Sequence, residues 1–83
     1  MAYCRFSEGD VYAYNDVYGG YVIHVKRSGE YVKSEFLESR YDLLACLLEL
    51  KQQGFSLPDR ALIQVLNDIE NGVPENEYDG SFV

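Results

Sequence analysis

The chain has 83 residues, 47% hydrophobic and 25% charged, which suits one globular domain and leaves no room for a second core. Seven basic residues against fourteen acidic ones give a net charge of −7, a balance that repels phosphate backbones and argues against direct binding to nucleic acid. The longest apolar run, Leu43-Leu44-Ala45-Cys46-Leu47-Leu48, is far too short to span a bilayer, and the first residues lack a basic-then-apolar leader, so the expected location is cytoplasmic.

Strands come first. Tyr3 to Phe6 reads as a short strand, and Ser7-Glu8-Gly9-Asp10 is turn chemistry. Val11 to Tyr14 alternates, with Val11 and Ala13 on one face and Tyr12 and Tyr14 on the other. A loop from Asn15-Asp16 closes at Gly19-Gly20. Tyr21 to Val25 is the strongest strand, Tyr21, Ile23 and Val25 sharing a face opposite Val22 and His24. Ser28-Gly29 supplies a hairpin turn. Tyr31 to Leu37 alternates again; Val32, Ser34 and Phe36 are expected to face the core, and Tyr31, Lys33 and Glu35 the solvent.

Two helices follow. Ser39-Arg40-Tyr41-Asp42 and Ser56-Leu57-Pro58-Asp59 both fit a Ser-x-x-acid capping box, with Pro58 in the first turn of the second helix. Gly54 and Gly72 end the helices, and Phe55 is placed to fold back on Leu50 in a Schellman cap. Leu43, Leu47 and Leu50 make a core stripe, widened by Leu44 and Leu48. On the second helix Ala61, Leu62, Val65, Leu66 and Ile69 recur at helical spacing. The first helix is apolar over more of its girth than one sheet requires, which points to contact on two sides. The order of elements predicts an α+β fold: a three- to four-stranded antiparallel sheet in the N-terminal half, packed by two C-terminal helices. Residues 1–73 are the expected domain, and residues 74–83 an acidic, mobile tail unless Tyr78 and Phe82 dock it.

Little in the chain signals catalysis. His24 is the one histidine, and only Cys4 lies on a neighbouring strand to pair with it; a strand histidine with a structural role is the simpler reading. Cys4, Cys46 and His24 lack the spacing of a metal site, and the two cysteines read as small buried hydrophobes in a reducing cytosol. Gly19-Gly20 lacks the lysine and helix start of a phosphate loop. No cofactor, metal or catalytic set is expected, and the chain is read as no enzyme.

Its tyrosines and acids are the better candidates. Six of the eight tyrosines lie in the strand half, and there is no tryptophan. A tyrosine brings a flat apolar body and one polar tip at low entropic cost, which favours interfaces, although tyrosine is also a good strand former. Residues 1–36 carry four bases and five acids, whereas 37–72 carry three and six, and Glu75, Glu77 and Asp79 add acidity with no base. A row of Glu38, Asp42 and Glu49 on the first helix is too sparse, and too interrupted by Arg40 and Lys51, to copy the charge density of duplex DNA.

The start Met1-Ala2-Tyr3-Cys4-Arg5-Phe6-Ser7-Glu8-Gly9-Asp10-Val11-Tyr12-Ala13-Tyr14, followed by Gly19-Gly20, resembles a group of small phage and prophage proteins of bacteria. They open on Tyr-Cys-Arg-Phe-Ser, continue with Asp-Val-Tyr and a Gly-Gly turn, and end in a helical half. The likeness is specific over the first twenty residues and carries no functional residues with it. It implies a viral origin and action in the host cytoplasm. Small acidic phage proteins without catalytic machinery often disable host defence proteins, CRISPR effectors among them. The expected function is therefore non-enzymatic, anti-CRISPR-like inhibition of a host nucleic-acid-binding protein, with neither nucleic acid nor membrane as direct partner. Tyr12, Tyr14 and Tyr21 are the expected exposed anchors, and Glu38, Asp42, Glu49, Glu75, Glu77 and Asp79 the steering acids. The alternative is a small binding module, a sponge for a nucleotide-like signal built on Arg5, Lys26, Arg27 and Lys33, or an accessory phage protein. A homodimer is compatible with either reading.

Overall fold

A computed structural model describes residues 2–72. Four strands, β1 (Ala2–Cys4), β2 (Val11–Asn15), β3 (Tyr21–Arg27) and β4 (Glu30–Leu37), precede two helices, α1 (Arg40–Gln52) and α2 (Asp59–Glu70). The strands form an antiparallel meander in chain order, and the helices cover one face, as the α+β reading expects. β1 is shorter than predicted, because the chain turns at Phe6–Glu8 into a single 3-10 turn.

Each helix boundary has a local cause. Ser39 Oγ accepts the Asp42 N–H at 3.2 Å and starts α1. Its end is the expected Schellman cap. The Phe55 N–H donates to the Leu50 carbonyl at 3.1 Å, and the Gly54 N–H to that of Lys51 at 3.1 Å. This motif needs a left-handed residue at Gly54, whose φ is 95°. The second capping box does not form as predicted. Pro58 occupies the cap position, with α2 beginning at Asp59, because Ser56 is engaged elsewhere. Its N–H donates to Asp10 Oδ2 at 2.9 Å, and its carbonyl accepts the Asp10 N–H at 2.7 Å. This clasp joins the β1–β2 turn to the loop between the helices. A Cβ at position 9 would sit 2.4 Å from the Ser56 carbonyl oxygen, so Gly9 is what permits the approach.

The core lies between the helices and the first three strands. Val11, Ala13, Tyr21, Ile23 and Val25 present the covered face of the sheet to Leu43, Leu47 and Leu50 of α1, and to Ala61 and Val65 of α2. The predicted stripes hold, except that Leu66 and Leu48 stand largely exposed, each turned about 100° from a buried neighbour on its helix. β4 departs further from expectation. Its register pairs Val25 with Lys33, Ile23 with Glu35 and Tyr21 with Leu37, which puts the two charged residues on the helix side and Ser34 and Phe36 on the open side. The hairpin turn fixes this phase. Ser28 and Gly29 both have positive φ, as a type I′ turn needs, and one extra β4 residue bulges between the partners of Val25 and Lys26. Being at the edge, β4 lies beyond the main helix cover, so Lys33 and Glu35 still reach water.

β1 is tied to both helices by a buried polar cluster. The Tyr3 hydroxyl donates to Asp68 Oδ2 at 2.7 Å and accepts Arg40 Nε–H at 3.1 Å, while Gln64 donates to the other Asp68 oxygen at 3.0 Å. Arg60 adds a bond to the Tyr3 carbonyl and an ion pair with Glu8. Among the described residues no helix is long and apolar enough to cross a membrane.

Candidate interaction face

Period-two alternation puts Tyr12 and Tyr14 of β2, Val22, His24 and Lys26 of β3, and Ser34 and Phe36 of β4 on the sheet face away from the helices. Phe6, carried by the 3-10 turn, leans onto the same face. The rings are continuous. Phe6 lies edge-on to Tyr12 (centroids 5.7 Å apart) and to Tyr31 (5.8 Å), and Tyr12 touches Tyr14 at 5.1 Å. His24 sits among them, 5.9 Å from Tyr14 and 6.3 Å from both Tyr12 and Tyr31. Edge-to-face contacts of this kind orient each ring through its quadrupole, so the surface is a fixed platform. The Lys26 ammonium stands 4.4 Å from the Phe6 centroid and 4.9 Å from that of Tyr31. None of the strand residues that alternate onto this face is acidic.

His24 Nδ1 lies 2.7 Å from Ser34 Oγ, a cross-strand contact that holds the ring in the platform. Cys4 is buried on the opposite face, opposite Ala13, so no Cys–His dyad forms. Among the described residues no group of three or more His, Cys, Asp or Glu side chains is placed to hold a metal ion.

The other face of β4 forms a groove with α1, about 260 Å³ in volume, lined by Lys33, Glu35, Asp42, Cys46 and Glu49 among others. Lys33 and Glu35 are 3.5 Å apart, and the Cys46 thiol donates to Glu35 Oε2 at 3.3 Å. Burial, that bond and the Glu35 charge push the Cys46 thiol up to about 12. Cys4 is also raised, chiefly by burial. Both cysteines are free. At pH 8 the Cys46 thiol is therefore expected to alkylate about a hundredfold more slowly than in the unfolded chain, read by mass spectrometry over time. Equal rates would show that the groove leaves it open.

The structure divides the sequence-predicted residues between opposite sides. Tyr12 and Tyr14 meet on the open face. Asp42 and Glu49 meet in the groove across the sheet, and Glu38 is exposed just before α1. Tyr21 corrects the expectation of an exposed anchor: it is fully buried, packed on Tyr3 and beneath the Arg40 guanidinium, because it shares the covered face with Ile23 and Val25. Glu75, Glu77 and Asp79, with the proposed tail, lie outside the described residues. Phe6, His24, Tyr31 and Phe36 also lie on this face and are not among the predicted site residues. Alternation along β3 places His24 there as expected, Tyr31 keeps its expected solvent side, the 3-10 turn brings Phe6, and the β4 phase brings Phe36. The four bases of the nucleotide alternative are scattered. Lys26 is on the open face, Lys33 in the groove, Arg27 over Phe55, and Arg5 precedes the 3-10 turn. Comparison with family models, with curated proteins and with solved structures finds no match.

Proposed function

We propose that this chain is a non-catalytic binding protein that docks a host protein on its aromatic sheet face, in the manner of a phage anti-defence inhibitor. The observation that carries the reading is the ring platform of Phe6, Tyr12, Tyr14, His24 and Tyr31, free of acidic strand residues and rimmed by Lys26. A tyrosine-rich surface suits arginine-rich partners, because guanidinium groups stack on ring faces and bury with them. Nucleic-acid-binding proteins, CRISPR effectors included, carry such arginines. Long-range attraction comes from the net charge of −7, to which Glu38, Asp42 and Glu49 contribute from the helix side. With acids and rings on opposite sides, the inhibition proposed is steric coverage, and no copying of a DNA surface is involved.

The test is affinity capture from a host lysate with tagged wild type, a Tyr12→Ala/Tyr14→Ala variant and an Asp42→Lys/Glu49→Lys variant. The expected result is one basic protein held by the wild type, lost at least about tenfold with the tyrosine pair removed, and released at lower salt by the charge variant. Capture that survives loss of both tyrosines would overturn the reading, as would a wild type that retains no protein.

A further inference from the structure

The two edges of the sheet are unlike. β1 has three residues and lies against α2, whereas β4 has eight, and no described element lies along its outer side. Tyr31, Val32 and Phe36 on it are 66, 53 and 59% exposed. A long edge that carries apolar side chains and unpaired backbone groups is a template for another strand. We infer that β4 pairs antiparallel with β4 of a second copy about a two-fold axis at Ser34, joining two four-stranded sheets into one of eight.

Self-complementary charge pairing favours this register. A two-fold axis perpendicular to the sheet keeps each face continuous, so facing residues must share a face. With Ser34 opposite itself, Lys33 of each copy faces Glu35 of the other, and Val32 faces Phe36. The charged pairs fall on the helix side and Phe36 on the open side, while Val32 is the bulged residue without a partner on β3, so the charged pairs are what set the register. Lys33 and Glu35 already lie 3.5 Å apart within one strand, so the dimer closes a ring of four alternating charges. Centring on Lys33 or on Glu35 would instead set like charges face to face, which opposes pairing. The bulge is Val32 itself, next to the Lys33–Glu35 segment, so the regular ladder needed by the charged pairs is Lys33 to Glu35. The open aromatic face stays free, so the inference is independent of the function proposed above.

Charge exchange in the full chain tests it, with sedimentation read over a series up to millimolar protein and circular dichroism confirming that each variant is folded. The wild type is expected to dimerise. Lys33→Glu alone and Glu35→Lys alone should each raise the dimer dissociation constant about tenfold or more, because each sets like charges opposite one another twice. The double variant K33E/E35K should restore dimerisation, and an equimolar mixture of the two single variants should form heterodimers. A wild type that remains monomeric throughout, or a dimer indifferent to both single substitutions, would overturn the proposal. Pairing of β4 with an extended peptide from another protein in place of a second copy would give the first of these results.

Discussion

Asp68→Ala is expected to lower folding stability by about 3 kcal/mol, measured by urea unfolding at neutral pH. Asp68 is buried on α2, where it accepts from the Tyr3 hydroxyl and from Gln64. Its removal leaves that hydroxyl without its acceptor and takes a negative charge from beside the buried Arg40 guanidinium, so the loss combines a lost bond with an uncompensated environment. Tyr3→Phe should cost less, about 1–2 kcal/mol, since it keeps the ring, leaves Asp68 its bond from Gln64, and keeps the Asp68 charge beside the Arg40 guanidinium. The same cluster makes a prediction about alkaline pH. Burial and the bond to Asp68 raise the Tyr3 phenol above its ordinary value of 10.0. A raised folded-state pKa means that the folded chain holds this proton more tightly than the unfolded one. Its contribution is complete below pH 10 and is lost as pH rises from there through the folded value. The stability difference between wild type and Tyr3→Phe should therefore shrink above pH 10. A constant difference would remove Tyr3 from the linkage.

Tyr21→Ala is expected to be the most damaging tyrosine substitution, at about 4 kcal/mol. Its ring is fully buried between Tyr3 and the helices, and truncation leaves a cavity that the sheet cannot close. A chain of this length has roughly 4–12 kcal/mol of total stability, so the variant should be partly unfolded at 37 °C. Tyr12→Ala and Tyr14→Ala make the opposite test. Both lose half-buried ring contacts on the open face, and each should cost only about 1 kcal/mol. Thermal unfolding of the three variants together separates the one core tyrosine from the two on the platform. A Tyr21→Ala protein as stable as Tyr12→Ala would mean that β3 presents its other face to the helices.

Strand phase was legible wherever the pattern was unambiguous. In β2 and β3, Val11, Ala13, Ile23 and Val25 are small or branched apolar residues that admit one assignment, and the structure follows it. Tyr21 belongs to the same stripe by alternation. Its expected exposure came from residue type, and the covered face prevailed over it. In β4 the apolar set Val32 and Phe36 suggested a core-facing row, but an edge strand has less core to face, and the turn register decided the phase. At the second helix a local capping pattern lost to a distant partner: Asp10, 46 residues from Ser56, took the backbone groups of that residue. Long-range closure of this kind leaves no periodic trace in a single sequence. Tyr12 and Tyr14 were readable as a pair because two residues on one strand share a face at spacing two. Phe6 was not, since a 3-10 turn brings it in, and Tyr31 keeps its expected open side only because the bulge offsets the changed phase of Lys33 to Phe36.

The contact between Tyr3 and Asp68 spans 65 residues and unites the first strand with the last helix described. On a ribosome the two are made in that order, so β1 is synthesised long before the partner that buries it exists. The hairpins of the meander are local and can form early, while this closure must wait for α2. Asp68 substitutions should therefore speed unfolding and leave the refolding rate nearly unchanged, which stopped-flow mixing would reveal. Until α2 docks, the nascent chain exposes Tyr3 and the covered side of its sheet, and that interval is when such a small protein is most open to proteases and chaperones.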